Sequence, residues 1–236
     1  MPATLPTRRE PCAERIGPRL LLASRSPRRR ELLSNASIPH DTIESHVDDG
    51  QLTPGDASAS AWVAALSFLK ARAAWDRLSP ERRRGAVVMG ADTIVHKDGR
   101  IIGQPCDEGD ARRIISTLEN GSHQVLTGVT LLAEDLPTDR LAGLGLSIES
   151  DTDASGARRA ALVDTAQVRV GSIGPERLER YLASGHWRGK AGAYNLAERI
   201  ADGWPIQYEG DPGTVMGLPM IRLAPALHVL LELDPQ

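Results

Sequence analysis

The stretch RLLLASRSPRRRELL, residues 19–33, decides the class of the fold. Its continuous apolar run, RLLLA, reads as a buried strand, and the change to SPRRRELL marks the start of a helix. Ser26 suits the N-cap, and Pro27 suits the first helical position, where a missing N–H is harmless. Arg28 and Arg29 then fall in the first turn, where the macrodipole already presents partial positive charge. Cations cost roughly 0.3–1 kcal/mol each there unless an anion lies nearby. With the hydroxyls of Ser24 and Ser26 and the free N–H groups, this turn suits a phosphate chain; it equally suits a solvated basic turn. Without a Gly-rich Walker signature, an ordinary P-loop NTPase has no support.

Working outward, a second strand is expected over 41–47. PGDAS (54–58) then opens a long helix to about residue 78, with Asp56 as candidate cap and Trp62, Ala65, Leu66 and Leu69 at helical spacing. AVVMG (86–90) reads as a short buried strand, and the polar residues of ADTIV emerge at its end. Asp98-Gly99 predicts a tight turn between IVHK and RIIG. A helix over 108–118, paired strands at 125–133 and 161–170, a helix over 175–184 ending at Gly185 and an amphipathic helix within 218–233 complete the pattern. Residues 134–160, rich in Gly, Ser, Asp, Pro and Arg, read as an extended loop inserted between the two long strands. Strands and helices alternate, so the class is α/β, with some antiparallel pairing. Residues 1–18 read as a flexible extension and 19–236 as one domain.

Composition narrows the function. The 236 residues carry 28 basic and 31 acidic side chains, and only 3% are aromatic. That balance argues against a single-strand nucleic-acid binder, despite arginine clusters at 28–30, 82–84 and 112–113. No apolar run reaches the ~18–20 residues needed to span a bilayer. The N-terminal segment lacks a secretory h-region. Cys12 and Cys106 alone make neither a zinc site nor a disulfide framework, so a cytoplasmic location is expected. Of the basic residues, 25 are Arg and 3 are Lys, at positions 70, 97 and 190.

Two further segments carry possible chemistry. Asp92 in MGADTIV suits a metal ligand or a base taking a proton from water, and it suits a cap as well. Thr93 beside it suits either a ligand contact or a cap. The acids of VDD, 47–49, suit a divalent cation shared with phosphate, or a solvated turn. The six histidines show no HExxH spacing, and no GxSxG elbow is present.

LLASRSPRRRELL, GADTIVHKDGRIIGQP, VLTGVTL, GKAGAY and EGDPGTVMGLP occur here in the order of the Maf family, which the chain resembles from about residue 19 to about residue 227. The resemblance implies a mixed sheet with flanking helices and two lobes around a cleft. It also implies hydrolysis of a nucleoside triphosphate to monophosphate and pyrophosphate, dependent on Mg²⁺ or Mn²⁺, in a homodimer. By the same resemblance, Asp92 is the catalytic acid and a metal ligand, and Asp49 stands where the family has a metal-associated Glu. Ser24, Ser26, Arg28 and Arg29 match the phosphate-binding turn. Lys70 and Lys190 match two family lysines, while GQP in place of GKP puts Gln104 at a third phosphate-facing position. Arg72, one helical step from Lys70, is a candidate to replace that charge. Arg28 and Thr93 match the branch acting on dTTP and UTP. That branch's third marker, a Gln after GAY, is here Ala197, with Glu198 beside it. A non-catalytic nucleotide-binding or division-regulatory protein of the same fold is the alternative.

Overall fold

Three long strands organise the molecule: two are runs of small and β-branched residues buried on both faces over most of their length, and the third alternates buried and more exposed positions. The computed structural model describes residues 17–48, 50, 52–149 and 152–233. Its long strands are β3 (Ala86–Lys97), β5 (Gly121–Ala133) and β7 (Arg158–Val170). With β1 (Arg19–Leu22), β2 (His40–Thr42), β4 (Arg100–Ile102), β6 (Ser147–Glu149) and β8 (Ile206–Glu209), they form one eight-stranded mixed sheet among the described residues. Its order is β2-β1-β3-β5-β7-β6, with β4 joined to β3 and β8 to β7. The β2–β1–β3 pairings are parallel and the others antiparallel.

One helix covers one face of the sheet. It is α2 (Ala59–Trp75), which follows α1 (Pro27–Asn35) and precedes the one-turn α3 (Pro80–Arg83) in the chain. Its close approach depends on two glycines. A Cβ on Gly90 would sit 2.3 Å from the Ser67 carbonyl oxygen, and one on Gly128 would sit 2.6 Å from that of Val63. On the other face are two hydrophobic cores, the first aliphatic and the second including Tyr181, Trp187, Tyr194 and Trp204. The first joins α1 and α9 (Met220–Leu230) to Val87, Met89, Ala91, Val129 and Leu131. The second joins α4 (Glu108–Leu118) and α6 (Pro175–Ser184) to Val95, Val125, Val168 and Val170. These are the two lobes, and β3 runs from one into the other. Between them β1 leaves β3 after Met89, and β4 joins only at Val95. Over residues 90–94, β3 therefore has a strand neighbour on one side only, β5.

Several expectations hold as read, including α1, α4, α6 with Gly185 as its left-handed cap, and the Asp98-Gly99 turn. Others need correction. The strand expected over 41–47 spans His40–Thr42, because Thr42 already pairs with Leu22, the last residue of its partner β1. Ser58 rather than Asp56 caps α2, accepting from the Ala61 N–H at 3.2 Å, and the helix ends at Trp75. AVVMG and ADTIV form one strand, since β5 pairs with it from Val88 to His96. Segment 134–160 is not simply a loop. It contains α5 (Thr138–Leu141) and β6, held down by the fully buried Leu136 and Leu141. Residues 1–16 of the expected extension lie outside the described residues.

Candidate active site

The sheet's interrupted edge places Asp92 and Thr93 on opposite faces of β3, where the lobes meet. Asp92 shares its face with Gly90, so α2 lies close enough for Lys70 to donate to Asp92 Oδ1 at 2.5 Å. Asp92 is buried in mid-strand, not a cap at a strand end. Lys70 sits on a helix fixed by packing, so the pair is held by regular structure at both ends.

Thr93 faces the other way, toward the N-terminus of α1. There Arg29 is buried and clamped. Its Nε donates to the Gly217 carbonyl at 3.0 Å, Nη1 to Ser24 Oγ at 3.0 Å and Nη2 to Thr93 Oγ1 at 3.2 Å. Ser24 Oγ also accepts from the Ser26 N–H at 3.2 Å. The turn expected to grip phosphate is thus tied to β3 and to the loop after α8 (Pro212–Met216). Ser26 occupies the N-cap position without a side-chain capping bond, and no acidic residue shares the first turn. Behind Thr93, Thr127 Oγ1 lies 2.8 Å away and donates to the Thr214 carbonyl at 2.7 Å.

Two adjoining spaces open here. A cavity of about 90 Å³ has Val95, Val125, Tyr194, Val215 and Met216 in its lining together with Asp92, Thr93 and Asn195. A wider cleft of about 860 Å³ runs past Ser24, Arg25, Arg188 and Lys190. Ser26, Arg28, Arg29, Lys70, Gln104 and Gly189 border both. Ser24, Ser26, Arg28, Arg29, Lys70, Asp92, Thr93, Gln104 and Lys190 therefore gather at one place. Arg72 does not: it pairs with Asp76 at 2.8 Å and Asp153 at 2.6 Å and replaces no charge at Gln104.

Charge at the cleft is unbalanced toward positive. Burial holds the Arg28 guanidinium below its ordinary pKa, and the charge of Glu198 opposes that shift. Lys190 is likewise lowered by burial, against its hydrogen bond to Glu198. Arg199 lies near the same carboxylate, 4.0 Å away, and stacks over the Tyr181 ring at 4.4 Å. Glu198 sits on α7 (Leu196–Ala201), a helix capped by the Asn195 side chain. Sequence reading noted Glu198 only as a departure, and gave Thr127, Thr214 and Tyr194 no role. The available signal was polar residues inside apolar runs, which a buried site requires to be partnered.

A divalent cation is compatible with this donor set. Among the described residues no group of three or more His, Cys, Asp or Glu is arranged to hold a metal. A hard ion of the magnesium type needs only one or two carboxylates when phosphates complete its shell. Asp92 offers a buried carboxylate at the cavity, and Asp48 lines the cleft. Asp49, expected as a metal ligand, lies outside the described residues.

Residues 19–230 match the family model described as Maf-like protein. The chain belongs to the Maf family. It is similar to proteins named dTTP/UTP pyrophosphatase. The one from Anaeromyxobacter sp. (strain Fw109-5) is 35% identical over 210 residues, covering 89% of this chain and 88% of that one. The one from Alkaliphilus metalliredigens (strain QYMF) is 36% identical over 212 residues, covering 89% and 95%. That from Salinibacter ruber (strain DSM 13855 / M31) is 37% identical over 205 residues, covering 86% and 87%. The Maf match begins at β1 and ends with α9, so it takes in every described residue of the site. Segment 134–160, with α5 and β6, lies within those bounds. Among the described residues no helix is long and apolar enough to cross a membrane.

Proposed function

We propose that this Maf-family chain hydrolyses nucleoside triphosphates, dTTP and UTP foremost, to the nucleoside monophosphate and pyrophosphate. The observation that carries this reading is the Lys70–Asp92 pair, set where a small cavity of mixed lining opens into a cleft bordered by Arg25, Arg28, Arg188 and Lys190. A planar base suits the cavity and a triphosphate suits the cleft, which brings the α-phosphorus beside Asp92. Asp92 takes a proton from the attacking water, and Lys70 holds the carboxylate in place through Oδ1. Arg28, Lys190 and the N–H groups of the first turn of α1 receive the charge that develops on the leaving pyrophosphate. Arg29 keeps that turn in position, and Gln104 contributes a neutral contact. A divalent cation bound by Asp92, Asp49 and phosphate oxygens would supply charge neutralisation and a more acidic water.

The test is release of pyrophosphate from a panel of triphosphates with Mg²⁺ or Mn²⁺. Stoichiometric pyrophosphate and monophosphate from UTP or dTTP is the expected result. Nucleotide-dependent thermal stabilisation with no product at any metal concentration would leave a binding protein in place of the enzyme.

A further inference from the structure

The polar chain behind the cavity has a direction that the geometry fixes. A carbonyl only accepts, so the single hydroxyl proton of Thr127 goes to the Thr214 carbonyl, 2.7 Å away. Thr127 therefore meets Thr93 as an acceptor, and Thr93 must donate across their 2.8 Å contact. Arg29, which has only donors, gives an N–H to Thr93 from its side at 3.2 Å. Thr127 and the Thr214 side chain are fully buried, so bulk water does not compete for this arrangement. The Thr93 hydroxyl thus has its proton committed inward and one lone pair occupied. Toward the cavity it can show only its remaining lone pair.

Resting on the reading above, we propose that Thr127 is a positioning residue that makes Thr93 an obligate hydrogen-bond acceptor, selecting bases that present a ring N–H. The imide edge of uracil or thymine carries such an N–H between two carbonyls. Cytosine presents a bare ring nitrogen there, which would set lone pair against lone pair. A hydroxyl free to rotate would serve either base; the Thr127–Thr214 contact removes that freedom. The selection is made by a residue that never touches the nucleotide.

Calorimetric binding of three α,β-imido triphosphates, those of uridine, 3-methyluridine and cytidine, to the full chain with Mg²⁺ tests this. Wild type should favour the uridine compound over both others by about tenfold or more, the scale of leaving one buried polar group unpaired. The 3-methyl compound needs no variant, so the test survives any folding defect. Thr127→Val can neither accept nor pass the proton, and should compress the uridine-to-cytidine ratio to within about threefold. Thr127→Ser keeps the hydroxyl and should restore the ratio. Equal weakening of all three ligands in Thr127→Val, a Thr127→Ser variant that behaves like Thr127→Val, or a wild type indifferent to the 3-methyl group would each overturn the proposal. Pyrophosphate release by wild type is measured separately. Its absence removes the hydrolytic reading, while the binding ratios still decide the role of Thr127.

Discussion

Two lysine–carboxylate pairs face the cleft, and they are built in opposite senses. In Lys70–Asp92 both side chains are largely buried, at 15% and 10% exposure, and both stand on long regular elements. In Lys190–Glu198 the lysine is 9% exposed but the carboxylate 43%, and the pair spans a short turn and a six-residue helix. The first pair presents a carboxylate held by a lysine. The second presents a buried cation whose carboxylate can turn to solvent. The same two functional groups therefore yield a fixed base on one wall and a tunable positive charge on the other.

The sharpest way to break this contrast is Asp92→Asn, which keeps the shape of the first pair and removes the base. Turnover should fall by roughly 10²–10⁴-fold while nucleotide binding persists. Steady-state pyrophosphate release and equilibrium binding measure the two separately. Unchanged turnover would show that the first pair does not carry the chemistry.

Next in size is the packing that sets the first pair. Gly90→Ala puts a methyl group against the backbone of α2 at Ser67 and Ala71, and overpacking of this kind costs roughly 1–3 kcal/mol. Gly103→Ala, whose Cβ would meet nothing within 4 Å, should change stability by no more than about 0.5 kcal/mol. Denaturant titration of the two variants checks the difference, and equal effects would detach Lys70–Asp92 from the glycine contact.

The second wall should be the acid-sensitive one. His123 donates to or accepts from the Tyr194 hydroxyl at 2.8 Å, beside the segment that bears Lys190 and Glu198. Burial first, and the charge of Lys97 second, lower its pKa from 6.5 to about 4. Between those values the unfolded chain binds a proton that the folded chain does not, so stability falls as pH drops from 6.5 toward about 4 and the loss then levels off. At 1.36 kcal/mol per pKa unit this amounts to about 3 kcal/mol. His123→Gln should flatten that part of the stability profile, and an identical slope in the variant would rule the histidine out as its source.

The smallest effect is expected from Glu198→Gln. Removing the anion beside Arg28 and Lys190 should lower KM for the triphosphate by roughly two- to five-fold at low ionic strength, the scale of a partly exposed ion pair. Added salt should erase the gain. A rise in KM would mean that the carboxylate itself contacts substrate.

Lys70, Asp92 and Lys190 were legible in the sequence through their motifs, whereas Glu198 stood out only as a departure and Tyr194 had no role, for a physical reason. Asp92 and Lys70 stand in long periodic segments, where position along an element predicts which face a side chain takes. Glu198 and Tyr194 follow a bend with Gly192 and Ala193 at positive φ, where periodicity carries no information about direction. The same limit explains segment 134–160. Its Gly, Ser and Asp content reads as loop, yet Leu136 and Leu141 enter the core and bring a helix and a strand with them. The α2 cap was misplaced because Asp56 and Ser58 are equally good capping residues, and only the observed backbone distinguishes them. Thr127 was quoted within VLTGVTL without a role, because a hydroxyl in an apolar run reveals its partner only once the strands are aligned.

The one-sided stretch of β3 has a consequence that side-chain substitution cannot reach. In a strand, successive residues direct their main-chain groups to alternate sides. Met89 bonds toward β1 through its carbonyl, at 2.8 Å from the Ala23 nitrogen, and Val95 pairs with Ile102 on β4 along the same edge. By that alternation the amide and carbonyl of Thr93, which lines the cavity, point to the side where a neighbouring strand is missing. The sheet there keeps a peptide group of its own at the place another strand would take. A substitution at 92 or 93 changes the side chain and leaves that main-chain position as it was.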